Sequence, residues 1–80
     1  MYYFYIFQCN DGTLYCGSTN NLQNREKLHN SGKGAKYTRN HGGGSLVYSE
    51  AYETQGDAMR RESEVKKWPR TKKQNLIADL

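Results

Sequence analysis

Apolar and aromatic residues fill most of the first nine positions, and a second short run of the same character follows at once. Residues 2 to 9 and 13 to 17, rich in aromatic and β-branched side chains around Asn10-Asp11-Gly12, predict a β-hairpin. Thr19 or Asn20 suits the N-cap of a helix from about Asn21 to Asn30, which places Leu22, Arg25, Leu28 and His29 on roughly one face before Ser31-Gly32 ends it. The polar stretch from Lys33 to Ser45 holds four of the eight glycines and reads as a long loop. Leu46 to Tyr52 predicts a third strand. Thr54 with Asp57 resembles a capping box for a helix running to about Trp68, and Pro69 stops it. Thr71 suits the cap of a short closing helix that buries Leu76, Ile77 and Leu80. The order is β-β-α-β-α-α. It predicts a single α+β domain over residues 1 to 80, a small three-stranded antiparallel sheet flanked by helices.

Loop length fixes the faces of the hairpin. With a three-residue loop and Gly12 left-handed, Cys9 pairs with Thr13, Phe7 with Tyr15 and Ile6 with Cys16. Tyr3, Tyr5 and Tyr15 then share one face, whereas a two-residue turn would part Tyr5 from Tyr15. Cys9 and Cys16 point to opposite faces, so both are expected as free thiols.

Size and charge narrow the function. With 80 residues, 35% hydrophobic, and a mean hydropathy of −1.04, the chain can build only a small core. Its apolar start lacks a basic leader, and no run approaches the roughly 20 residues of a membrane span, so a soluble cytoplasmic protein is expected. The net charge of +4 is unevenly placed: residues 1 to 24 carry no Lys or Arg. Arg25, Lys27, Lys33, Lys36 and Arg39 face only Glu26, and Arg60, Arg61, Lys66, Lys67, Arg70, Lys72 and Lys73 face only Glu62 and Glu64. Two basic clusters suit a polyanion such as nucleic acid, or simply a well-solvated surface.

Glu62 is the most telling single residue. At 100° per residue it lies about 40° beyond Ala58, inside the apolar stripe that Ala58 and Val65 define. A carboxylate there needs a cation: either an ion pair, with Arg25 or another basic side chain, or a metal. Lone carboxylate chemistry suits hydrated Mg²⁺, and the His/Cys set that Zn²⁺ prefers is missing. Tyr2, Tyr48 and Tyr52 read as ordinary strand tyrosines. Arg25 and His29, four residues apart, form either a helix-surface pair or part of a site. The Gly32-to-Thr38 stretch lacks Walker spacing. It suits a basic loop along a nucleic-acid backbone, with Lys33, Lys36 and Arg39 on phosphates and Tyr37 on a base; Arg61 and Lys66 extend that surface. His41 reads as exposed, and Trp68 as a core or hinge anchor.

Taken in order, these residues resemble the GIY-YIG nuclease domain over nearly the whole chain. Tyr3-Phe4-Tyr5 matches the first half-motif and Tyr15-Cys16-Gly17 the second, with Tyr3-Phe4 standing for Gly-Ile and Cys16 for Ile. Gly17-Ser18-Thr19 then leads into the helix of Arg25 and His29. The run from Leu28 to Arg39, and Ala58-Met59-Arg60-Arg61-Glu62 with Val65 to Trp68, are similar to the short stand-alone bacterial members. The resemblance implies single-metal phosphodiester hydrolysis. Glu62 would hold Mg²⁺ or Mn²⁺, Tyr5 would be the general base, Tyr15 would orient water or phosphate, and Arg25 would neutralise the phosphoryl oxygens. His29 would assist the base or bind phosphate, and Asn75 is the candidate for a further late asparagine. The implied substrate is DNA, structured or damaged, with RNA open and a protein partner able to supply target selection. A non-catalytic nucleic-acid-binding module and a subunit of a larger repair enzyme are the alternatives.

Overall fold

The computed structural model describes residues 1–30 and 43–79. Its elements are β1 (Tyr2–Cys9), β2 (Leu14–Thr19), α1 (Leu22–Asn30), β3 (Gly44–Tyr52), α2 (Gln55–Lys66) and α3 (Arg70–Ala78). The sheet is antiparallel in the order β2-β1-β3, so β1 is central and buried on both faces. Phe4 and Ile6 face one way, joined by Cys16 and by Val65 of α2, with Trp68 from the α2–α3 junction and Leu76 and Ile77 from α3 packed on them. Tyr5, Phe7 and Cys9 face the other way under Leu22 and Leu46. Helices thus cover both faces of a sheet only three strands wide. Both cysteines are free and buried, one on each side.

The hairpin has the expected register, with Phe7 opposite Tyr15 and Ile6 opposite Cys16. Gly12 takes φ +91°, the Cys9 amide donates to the Thr13 carbonyl at 2.8 Å, and the Asp11 carboxylate accepts from the Thr13 amide at 3.0 Å. Arg70 of α3 donates to the Gly12 carbonyl at 2.7 Å, which ties the closing helix to this turn. β2 extends past the predicted Gly17, because Ser18 and Thr19 stay paired with Phe4 and Tyr3.

Other boundaries moved for local reasons. β3 starts at Gly44 rather than Leu46, where the Gly44 amide donates to the Asn30 side chain at 2.8 Å. α2 ends at Lys66 because the Lys67 and Trp68 amides bond three residues back, to Glu64 and Val65, which tightens the last turn before Pro69. Thr71 does not cap α3: the helix already starts at Arg70, with Pro69 at the N-cap and its φ of −65° in place. Thr54 does cap α2, accepting from the Asp57 amide at 3.2 Å. Leu80 lies outside the described residues.

A bulge in β3 decides what faces α2. Ile6 pairs with Tyr48 and Phe7 with Leu46, so Val47 is the extra residue and Tyr48, Glu50 and Tyr52 shift to the α2 side. Glu26 of α1 steadies this point by accepting from the Leu46 amide at 2.9 Å. Beyond the bulge, Glu50 accepts from Tyr48 at 2.5 Å, Tyr52 at 2.6 Å and Arg61 at 3.0 and 3.2 Å. Burial and the bond to Glu50 push both phenols up to about 12, so they remain donors. Burial alone would raise the Glu50 carboxyl, but the bonds from Arg61, Tyr48 and Tyr52 outweigh it and hold the group below its ordinary value. The linked stability is therefore present above about pH 4.5 and is lost as pH falls through the lower folded-state value. Glu50→Gln is expected to cost about 2 kcal/mol at neutral pH and to flatten the acid limb of stability against pH, read by thermal melts across pH. An acid limb unchanged in the variant would show that this network is not what acid disrupts.

Candidate active site

Tyr5, Tyr15 and His29 meet on the α1 side of the sheet. The Tyr5 hydroxyl lies 3.0 Å from His29 Nε2, a buried hydrogen bond between groups 24 residues apart. The imidazole packs against Phe7 with ring centroids 4.7 Å apart and against Tyr15 at 5.4 Å, and Tyr5 and Tyr15 stand 6.4 Å apart. Tyr5 and His29 are 2% and 1% exposed, so of the two helix residues Arg25 and His29 the second is no surface group. Burial, reinforced by Tyr15, raises the Tyr5 phenol well above its ordinary value although Arg25 pulls it down. Burial, then the Arg25 charge, lowers the His29 imidazole. The resting pair is a neutral phenol beside a neutral imidazole.

Gly17 makes this arrangement possible. It pairs with Tyr5 across the hairpin, and the Tyr5 ring lies over it. A Cβ at Gly17 would stand 2.6 Å from Tyr5 Cζ and closer still to the hydroxyl.

Arg25 and Glu62 approach from two helices. Both act electrostatically on the Tyr5 phenol, and Glu62 also on Cys16 in β2. Arg25 Nε is buried and has no hydrogen-bond partner among the described residues. An unmatched buried donor costs free energy unless something accepts from it. Glu62 pairs with Lys66 at 3.5 Å, its side chain 23% exposed. Ala58 and Val65 on the same helix are fully buried, which matches the stripe read from the sequence.

The remaining candidates fall elsewhere. Arg61 turns inward, bonded to Glu50 and Glu64, with its guanidinium 5.1 Å above the Trp68 ring; Lys72 stands 4.1 Å from the same ring. Trp68 is part of the core margin. Asn75 is exposed on α3. Lys33, Lys36, Tyr37, Arg39 and His41 lie outside the described residues. Among the described residues no helix is long and apolar enough to cross a membrane. No three His, Cys, Asp or Glu side chains cluster there to form a metal site. A lone carboxylate with a solvent-facing edge fits a hydrated, oxygen-loving ion such as Mg²⁺ and does not fit Zn²⁺.

Comparison with known proteins agrees with the fold. The chain is 48% identical over 79 residues to a UPF0213 protein of Bacillus pumilus, covering 99% of this chain and 81% of that one. It is 50% identical over 78 residues to a UPF0213 protein of Clostridium perfringens, covering 98% and 84%. The solution NMR structure of a UPF0213 protein from Bacillus halodurans, 47% identical, is similar with a TM-score of 0.61 over 98% of this chain and 84% of that one. The model of the GIY-YIG catalytic domain matches residues 1–75, and the chain belongs to that family.

Proposed function

We propose that the protein is a metal-dependent endonuclease that hydrolyses phosphodiesters in DNA. The observation that carries the reading is the buried Arg25 Nε, which has no hydrogen-bond partner among the described residues, on a side chain whose charge acts on both members of the Tyr5–His29 pair while Glu62 also acts on Tyr5. A fixed guanidinium supplies the positive charge an incoming phosphate requires, and it does most where negative charge grows in the transition state.

Glu62 would hold Mg²⁺ or Mn²⁺, which when bound supplies positive charge at the phosphate and water already polarised. Water attacks phosphorus, the bond to the leaving oxygen breaks, and that oxygen takes a proton from solvent. The proton of the attacking water passes to the Tyr5 oxygen while the Tyr5 proton moves to His29 Nε2, 3.0 Å away. Tyr5 and His29 thus act as one base, with the imidazole as the final acceptor. Neutral His29 is ready for that role, and its lowered affinity for protons keeps it so at neutral pH. Tyr15, less buried than Tyr5, orients the water, and Arg25 holds the phosphoryl oxygens. Lys33, Lys36, Tyr37, Arg39 and Lys66 contribute to the nucleic-acid surface, as does Arg61 where its charge is not spent on Glu50; Asn75 would be the family's late asparagine.

Labelled branched, flapped, single-stranded and duplex DNA, incubated with Mg²⁺, Mn²⁺ or chelator, test the reading. Scission that needs the metal supports it. Salt-sensitive binding with no scission in any metal would replace the nuclease with a binding module of the same fold.

A further inference from the structure

A recess of about 200 Å³ is lined by Tyr2, Ser18, Thr19, Asn20, Arg25, Gln55 and Ala58. Neither Tyr5 nor Glu62 lines it, but Arg25 does, and Ala58 stands one helical turn before Glu62. Among the described residues the side chains of Tyr2, Ser18, Asn20 and Gln55 make no hydrogen bond. Four residues with unengaged polar side chains, drawn from β1, β2, the turn after β2 and the start of α2, line one concavity together with Arg25.

The chemistry of that lining is not that of a second phosphate site. Arg25 is its single cation; the others are a phenol ring, hydroxyls and two amides. An amide presents a donor and an acceptor side by side, the pattern that matches a base edge, and a tyrosine ring offers a face for stacking. Size limits the occupant. A cavity of about 150 Å³ accommodates benzene. The recess, at about 200 Å³, is on the scale of one nucleobase.

We propose that the recess binds a single unpaired nucleobase next to the phosphate that Arg25 contacts, with Asn20 and Gln55 reading its edge and Tyr2 against its face. The substrate strand is then single-stranded at the point of attack. The word substrate rests on the nuclease reading; the binding site does not.

The test uses the full chain carrying Glu62→Gln, isotopically labelled and followed by NMR, so that no cleavage is needed. Inorganic phosphate is expected to move the Arg25 Nε resonance and leave the side-chain amides of Asn20 and Gln55 in place. A single-stranded deoxydinucleotide is expected to move all three, and a blunt duplex to leave the two amides unmoved. Replacing both Asn20 and Gln55 with alanine is expected to weaken the dinucleotide about tenfold without changing phosphate binding. Amides that respond equally to phosphate and dinucleotide would reduce the recess to an anion site. Dinucleotide affinity unchanged in the double variant would also overturn the proposal. Base-dependent binding would uphold the recess even if wild type cut no DNA, so the two readings fail separately.

Discussion

Glu62→Gln is expected to lower metal-dependent cleavage about a thousandfold or more, on the scale of the several kcal/mol a bound metal contributes to phosphoryl transfer. The substitution keeps the shape and removes the charge on which a hydrated divalent ion depends. It should leave the fold intact. Among the described residues the carboxylate has one ionic contact, to Lys66 at 3.5 Å, and the lysine side chain is 58% exposed. Such a pair is worth at most about 1 kcal/mol. DNA binding without metal should hold or rise slightly, since a negative charge leaves a basic surface. The informative pattern is therefore a collapse in turnover with melting temperature and affinity near wild type. Equal cleavage by variant and wild type would remove Glu62 from the site. A large loss of stability would mean that Glu62 is a structural ion-pair partner, the other reading its sequence position allowed.

Much of this site was legible because a few local signals set it. Asn10-Asp11-Gly12 fixed the loop length, the loop fixed the register, and the register placed Tyr5 and Tyr15 on one face. Helical spacing put Glu62 into the stripe of Ala58 and Val65 by the same logic. What escaped depends on non-local geometry. The bulge at Val47 reverses the facing of Tyr48, Glu50 and Tyr52, and nothing in an alternating strand pattern marks one surplus residue. Arg61 was assigned to the nucleic-acid surface from charge alone, and its partner Glu50 is visible only once β3 and α2 are packed. A carboxylate flanked by tyrosines two residues away on each side was the available signal. The recess draws on Tyr2, Asn20 and Gln55, residues with no shared periodicity, so only the folded chain brings them together. The role of Gly17 was legible in the sequence. Its pairing with Tyr5 follows from the hairpin register, and a glycine opposite a large ring on a buried face invites the ring to lie over it.

Gly17→Ala should therefore damage fold and site together. Tyr5 cannot simply swing aside, because His29, Tyr15 and Phe7 surround its ring region and it is 2% exposed. The penalty is steric and falls on a packed core, where one added methyl typically costs about 1–3 kcal/mol. Any relief moves the Tyr5 hydroxyl relative to His29 Nε2, and a misplacement of about 1 Å at a reacting group costs on the order of a hundredfold in rate. Gly56 supplies the control. It sits in the first turn of α2, and a Cβ there meets nothing within 4 Å. Gly56→Ala should stabilise by about 0.5 kcal/mol through helix propensity and leave turnover unchanged. Two glycine-to-alanine changes in one small domain should thus move melting temperature in opposite directions, and only the first should touch catalysis. A Gly17→Ala protein with wild-type melting and wild-type turnover would show that the Tyr5 ring yields at no cost, and the Tyr5–His29 pair would lose its claim to be the base. Normal melting with lost turnover would instead locate the damage in hydroxyl geometry alone, which is the outcome the 3.0 Å contact makes most sensitive.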